Sequence, residues 1–304
     1  MTKRYPRSIL VSCEVPWDER QELIEDTFRA EIRDALKTYN NLYIFGTAGE
    51  GYAVTLTKFK EIVGIFREET NKPDVHPMVG IISMSTALVV EKIAAAHDIG
   101  FRVFQIAIPP WGALTDDEYM TYFKDVCGSF PDSKFVHYNL PRSRRVLVTE
   151  DYKRLEAAVP NLVGTKYTGA SPEECRKLVT QTELQHFLGE GNYPFGSLHG
   201  ECSILASWGA LFPSKLKELF DLGASGDFEK AYQVSLEIGD AGSTFLAPAR
   251  AGEQHIDGAF DKMIVRASGI DMPLRMLSPY NGFDEQTYEA CLAALKKERP
   301  HMLG

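Results

Sequence analysis

The chain reads as an α/β protein, a closed (β/α)8 TIM barrel with a C-terminal helical extension, on two observations. Eight short apolar segments recur between residues 8 and 206. The stretches between them, such as Glu19 to Tyr39, Thr57 to Glu69 and Ser85 to His97, place apolar residues at three- and four-residue spacing. Strand alternating with helix means a parallel sheet with helical crossovers, and eight units match a barrel of about 250 residues. An open doubly wound sheet is the alternative. The second observation is size. A chain of 304 residues, 44% hydrophobic, can bury one such barrel plus an extension, although two ordinary domains also fit that length.

In chain order the strand-like segments are Ser8 to Cys13, Leu42 to Phe45, Met78 to Ile82, Val103 to Ala107, Lys134 to Asn139, Leu162 to Lys166, Leu184 to Leu188 and Cys202 to Ala206. Thr57, Ser85, Asp116, Thr149 and Ser171 are suitable helix caps, and Pro172 suits a first helical position. After Pro213 the pattern stays helical, with no further strand. Residues 1–225 therefore read as the barrel carrying the active site, and 226–304 as a helical extension packed on it.

Composition narrows the partners. A net charge of -9 with no long basic run argues against nucleic acid. No stretch is long enough to span a membrane. Lys3, Arg4 and Arg7 precede only Ile9-Leu10-Val11, too short an apolar run for a signal peptide. Cys13, Cys127, Cys175, Cys202 and Cys291 are dispersed and odd in number, which suggests reduced thiols and a cytoplasmic protein.

Three motifs carry chemistry. Leu162 to Lys166 ends on a lysine, at the barrel end where active sites lie. Alternation places Leu162, Gly164 and Lys166 on one face, with Gly164 leaving room beside the lysine stem. Desolvation would help Lys166 shed its proton, and a neutral amine can attack a ketone to form a Schiff base. A lysine with its ammonium in solvent is the plainer reading of this stretch. The second strand runs into Gly46-Thr47-Ala48-Gly49-Glu50-Gly51. Glycines around Thr-Ala allow a turn whose backbone N–H groups converge on an anion, or simply a tight βα turn. The fifth strand ends in His137-Tyr138-Asn139-Leu140-Pro141, where a phenol can move protons or an aromatic ring can fill the barrel. An anion nest, a phenol and an amine at one end of a barrel are the parts needed to hold a 2-oxo acid and form its imine.

On Gly46-Thr47-Ala48-Gly49-Glu50, Tyr138-Asn139-Leu140-Pro141 and Gly164-Thr165-Lys166, the sequence resembles the N-acetylneuraminate lyase and dihydrodipicolinate synthase family of class I pyruvate aldolases. The resemblance runs from Val15-Pro16-Trp17-Asp18 to Ala224-Ser225-Gly226-Asp227-Phe228. It implies a homotetrameric barrel, a dimer of dimers, acting on pyruvate and an aldehyde without a cofactor. By resemblance Lys166 is the Schiff-base lysine and Tyr138 shuttles the aldol proton. The Thr47 hydroxyl and the Thr47 and Ala48 amides hold the pyruvyl carboxylate. Thr168, Gly189, Gly191, Asn192 and Ser207 match the distal substrate pocket.

The departures bear on substrate. Ala48 stands where the family usually has a second hydroxyl. Trp111-Gly112 follows Pro109-Pro110 where the synthases carry a tyrosine donated to the neighbouring subunit. Ser143 occupies their arginine position, flanked by Arg142, Arg144 and Arg145. Arg142 and Arg144 could hold a distal anion or form a solvated rim. Gly189-Glu190-Gly191-Asn192 keeps the lyase glycine but shifts the acid, and Trp208 and Phe195 suggest a more apolar pocket. His137, His186 and His199 are too dispersed to predict a metal site. The expected activity is cleavage or condensation of pyruvate with an aldehyde, on a 2-oxo-3-deoxy sugar acid or related 2-oxo acid. Alternatives are a dehydratase or hydratase-aldolase using the same imine, dihydrodipicolinate synthase itself, a metal-dependent barrel lyase, and a non-catalytic pyruvyl-binding barrel.

Overall fold

The computed structural model describes residues 4–252 and 254–303, so Lys3 and the terminal Gly304 lie outside the described residues. Eight strands, β1 (Ile9–Ser12), β2 (Asn41–Ile44), β3 (His76–Ile81), β4 (Val103–Ile106), β5 (Lys134–Tyr138), β6 (Leu162–Lys166), β7 (Gln185–Gly189) and β8 (Ser203–Ala206), pair in parallel, and β8 closes on β1. Closure rules out the open sheet. Each expected strand is present, with its ends displaced by no more than two residues.

The helices between strands are α1 (Glu25–Ala35), α2 (Leu56–Thr70), α3 (Thr86–Asp98), α4 (Asp116–Gly128), α5 (Thr149–Ala158), α6 (Pro172–Gln181), α7 (Tyr193–His199) and α8 (Pro213–Ser225). The chain continues through α9 (Phe228–Arg250), α10 (Asp257–Ala267) and α11 (Glu285–Glu298). The first helix starts later than Glu19. The Asp18 carboxylate accepts from the Arg20 and Glu22 amides, and Trp17 bridges Leu23 as an antiparallel pair. These local bonds offer the backbone an alternative to helix. Ser85 and Ser171 cap α3 and α6 as expected. The cap of α2 is Thr55 rather than Thr57, and that of α4 is Thr115 rather than Asp116, in a reciprocal box with Glu118. Thr149 is the first residue of α5 and gives its hydroxyl to Glu174.

The barrel interior is filled by Leu10, Tyr43, Met78, Val136, Val163, Phe187 and Leu205, together with Tyr5. Leu162 packs instead in the large layer that contains the helices. A register shift in the β5–β6 pairing explains this. Phe135 faces Leu162 but Val136 faces Gly164, leaving one extra residue in β6. The predicted common face of Leu162, Gly164 and Lys166 is therefore broken at Leu162. Gly164 also serves another purpose than the expected one, since a Cβ there would lie 2.7 Å from the Gln185 carbonyl oxygen. It allows β6 to approach β7.

Candidate active site

Lys166 ends β6 with 3% exposure. Its Nζ donates to Tyr43 Oη at 2.9 Å and lies 3.8 Å from the centroid of the Tyr138 ring. The room for it comes from Gly46, where a Cβ would sit 2.7 Å from the Tyr43 ring and 3.4 Å from Lys166 Nζ. Burial disfavours the ammonium. The oxygens of Tyr138 and Tyr43, the hydrogen bond to Tyr43 and the Asp261 carboxyl oppose it and prevail, so the lysine pKa is raised. This reverses the expectation that burial would free the amine, and the site therefore needs a base. Tyr43, pushed up to about 12 chiefly by burial, stays a neutral phenol at neutral pH.

Tyr138 Oη meets Thr47 Oγ1 at 3.2 Å. Thr47 and Ala48 lie in the turn after β2, and among the described residues their amides have no intramolecular acceptor. The turn is built differently from expectation. The left-handed residues are Phe45 (φ 61°) and Glu50 (φ 57°), not the glycines. Such conformations cost roughly 1–2 kcal/mol for a residue with a Cβ. Phe45 is held by stacking on Phe59. Glu50 is held by Trp17 Nε1 at 2.8 Å, Lys262 Nζ at 2.7 Å and the Leu277 amide at 2.6 Å. Gly49 is needed because a Cβ there would lie 2.8 Å from the Phe45 nitrogen.

Lys166, Tyr138, Thr47, Ala48, Thr168 and Ser207 line one cavity of ≈ 160 Å³, shared with Ser12, Tyr43, Asp257 and Asp261. A wider open groove of ≈ 780 Å³ among residues 273–285 contains none of the predicted residues. Gly189, Gly191 and Asn192 do not line the cavity. Gly189 packs near Thr168, and Asn192 Nδ2 donates to the carbonyls of Thr168 and Ala170. Glu190 accepts from the Ser207 amide at 2.5 Å and the Trp208 amide at 3.0 Å. The loop after β7 thus buttresses the cavity wall. Trp208 packs on Phe212 and Phe245 and against Gly242 of α9, and Phe195 sits on His199. Neither makes the cavity apolar.

None of the three arginines lines the cavity. Arg142 grips Asp257 through two bonds of 2.8 and 2.9 Å, Arg145 pairs with Asp116 and Asp151, and Arg144 is exposed. His137 bonds Tyr152, and His186 bonds Thr165 and Thr182. Burial pushes both imidazoles down to about 3, so they serve as neutral packing groups. The five cysteines are buried and unbridged.

Four polar cavity residues escaped sequence reasoning. Tyr43 had an available signal, since alternation along β2 aims it inward with Asn41. Ser12, Asp257 and Asp261 did not stand out from ordinary polar positions. Asp257 and Asp261 are four apart on α10, one turn of helix, which brings both to the cavity from beyond the barrel.

A family model described as the dihydrodipicolinate synthetase family matches residues 5–297. Among solved structures, the chain is similar to YagE, a prophage protein of the dihydrodipicolinic acid synthase family from E. coli K12 in complex with pyruvate. The identity is 17%, with 95% of this chain and 98% of that one covered and a TM-score of 0.84. A dihydrodipicolinate synthase family protein from Coccidioides immitis aligns over 100% of both chains at 22% identity and a TM-score of 0.82. N-acetylneuraminate lyase from Fusobacterium nucleatum aligns over 96% of this chain and 98% of that one at 16% identity and a TM-score of 0.83.

Proposed function

The chain belongs to the dihydrodipicolinate synthetase family, and on that premise we propose that it is a class I lyase that cleaves or condenses pyruvate with a hydroxylated aldehyde through a Schiff base on Lys166. The observation that carries this reading is the trio at the barrel mouth. A buried amine lies 3.8 Å from the ring of a phenol whose hydroxyl touches Thr47 at 3.2 Å. The Thr47 hydroxyl and the amides of Thr47 and Ala48 hold the pyruvyl carboxylate. This places the carbonyl carbon against Lys166 Nζ and converts a bimolecular encounter into an oriented one. The imine withdraws electrons from the bond between the carbon attached to it and the next carbon out, which bears the aldol hydroxyl. Tyr138 takes the proton of the aldol hydroxyl as that bond breaks, leaving the enamine of pyruvate.

The acceptor end supports a polyol over a second carboxylate. Thr168, Ser207, Asp257 and Asp261 line it, and the nearby Arg142 is committed to Asp257. Hydroxyl groups can donate to these carboxyl oxygens, whereas a terminal carboxylate would meet the Asp257 carboxylate with its counter-charge, Arg142, already engaged. A 2-oxo-3-deoxy sugar acid fits this chemistry. A dehydratase outcome has one observation in its favour. Burial and the neighbouring Glu14 and Asp257 push the Asp261 carboxyl up, so it can give a proton to a departing hydroxyl. We carry assembly as a cytoplasmic homotetramer as part of the same proposal.

Borohydride with pyruvate tests the core of the reading. The expected result is one adduct per chain, mapped to Lys166, with activity that survives EDTA. No adduct, or an adduct on another lysine, overturns the imine. Loss of activity with EDTA favours a metal-dependent lyase. The products distinguish cleavage, which releases pyruvate and an aldehyde, from dehydration, which releases neither.

A further inference from the structure

Ser12, at the end of β1, lines the same cavity as Lys166. Its hydroxyl donates to Glu14 Oε1 at 2.6 Å. A hydroxyl that donates in one direction keeps its lone pairs to accept from another, here from the cavity. Glu14 is 1% exposed, and its second oxygen, Oε2, has no hydrogen-bond partner among the described residues. A buried carboxylate oxygen without a partner calls for an explanation.

The surrounding charges narrow that explanation. Glu31 of α1 accepts from the Glu14 amide at 2.7 Å. Glu50, in the turn after β2, is occupied by Trp17, Lys262 and Leu277. Lys166 of β6, Tyr43 of β2, and Asp261 and Lys262 of α10 also act on this carboxyl or are acted on by it. Of these carboxyls, Asp261 lines the cavity directly, and Glu14 is the one joined to it by a hydroxyl. The site holds a lysine that rests as an ammonium, and an imine cannot form until that proton leaves.

We propose that Glu14 is a positioning residue that, through Ser12, takes the proton of Lys166 and returns it during imine formation. This rests on the Schiff-base reading above. In the forward step Lys166 gives a proton to the Ser12 oxygen while Ser12 gives its own to Glu14. The free amine adds to the ketone to form a carbinolamine. The stored proton then returns through Ser12 to the carbinolamine hydroxyl, which departs as water as the C=N bond forms. No proton is gained or lost overall. Burial raises the Glu14 carboxyl, its bond to Ser12 and the charges of Lys262 and Lys166 restrain it, and the balance is a pKa of about 7. Its ability to accept a proton therefore appears as pH rises through neutrality, where a general base is most effective.

The test is single-turnover trapping of pyruvate by cyanoborohydride, followed by intact mass across about pH 5–9, a span bracketing the neutral optimum for such catalysis. Wild type is compared with Glu14→Gln, Ser12→Ala and the double variant. Wild type should trap faster as pH rises, with an inflection near neutrality. Glu14→Gln should lose that inflection and trap about 10–100-fold more slowly at the alkaline end, a relay acting through a second group being worth the lower part of the usual acid–base range. Ser12→Ala should give the same flattened profile, and the double variant should be no slower than either single one. An inflection that persists in Glu14→Gln or in Ser12→Ala overturns the relay, as does a uniform slowing that leaves the profile's shape unchanged. Absence of any adduct in wild type overturns the imine reading itself, a different outcome. If Glu14→Gln fails to fold, Ser12→Ala decides alone by the same criterion, because it removes only a hydroxyl.

Discussion

Removing the Tyr138 hydroxyl separates the two roles that the proposed mechanism gives this residue. Its ring lies over the Lys166 ammonium at 3.8 Å, and its Oη meets Thr47 Oγ1 at 3.2 Å. Tyr138→Phe keeps the ring, and with it the packing around the lysine, but removes the proposed proton carrier. Imine formation with pyruvate should therefore persist, while kcat for cleavage falls by about 10²–10⁴-fold, the usual worth of positioned acid–base help. That is about 2.7–5.4 kcal/mol of barrier at 1.36 kcal/mol per tenfold. Stability should change far less. One buried hydrogen bond contributes roughly 0.5–1.5 kcal/mol, which moves Tm by no more than about 2–4 °C in a chain of this size. Thr47→Val supplies the second arm. If the Thr47 hydroxyl helps turnover by orienting Tyr138, the double variant should cleave no more slowly than Tyr138→Phe alone, because residues in one network are not additive. Any further loss belongs to the carboxylate contact and should appear in KM. Borohydride trapping, steady-state kinetics and thermal melts on the four proteins complete the cycle. Equal kcat in Tyr138→Phe and wild type would remove Tyr138 from the proton path. Loss of trapping in the same variant would mean that the phenol is needed to form the imine rather than to use it.

The acceptor end yields two more expectations. Asp257→Ala should release Arg142, whose pair with Asp257 is about half exposed on both sides and so holds it by no more than about 1 kcal/mol. The ratio of kcat/KM for a carboxylate-ended acceptor over a polyol should then rise about 5-fold, which is 1 kcal/mol expressed as a ratio, and an unchanged ratio would place Arg142 outside the acceptor's reach. The protein should also be a poor dihydrodipicolinate synthase. The arginine position is the buried Ser143, Arg142 and Arg145 are held in ion pairs, and Trp111, at 79% exposure, stands where the donated tyrosine would be. A coupled assay giving kcat/KM for aspartate semialdehyde near 10⁴ M⁻¹s⁻¹, the low end of ordinary efficiency, would contradict this and favour the synthase assignment.

The legible part of this chain was the part with a local signature. Strand–helix alternation is a one-dimensional pattern, and the barrel follows from it. Lys166 and Tyr138 end strands, so the fold brings them together without further information. The β-bulge in β6 was hidden because it is a property of the β5–β6 pairing, and no residue in Leu162 to Lys166 marks it. The lysine's charge was misjudged for a related reason. Burial could be anticipated from the strand, but the groups that oppose it, Tyr138 first, then Tyr43 from four strands away around the barrel and Asp261 from α10, act through the folded geometry. Glu14 looks like any polar residue at the end of a strand, and Asp257 and Asp261 look like the solvent face of an amphipathic helix. What gives them chemical meaning is the element that covers them, and periodicity cannot name that element. The buried pair of Glu50 and Lys262, at 2.7 Å and with neither side chain exposed, ties α10 to the turn that carries Thr47 and Ala48. The same contact that fixes the turn proposed to hold the carboxylate therefore also carries Asp257 and Asp261 to the cavity. Substitutions in α10 should for that reason alter substrate preference as readily as substitutions in the barrel.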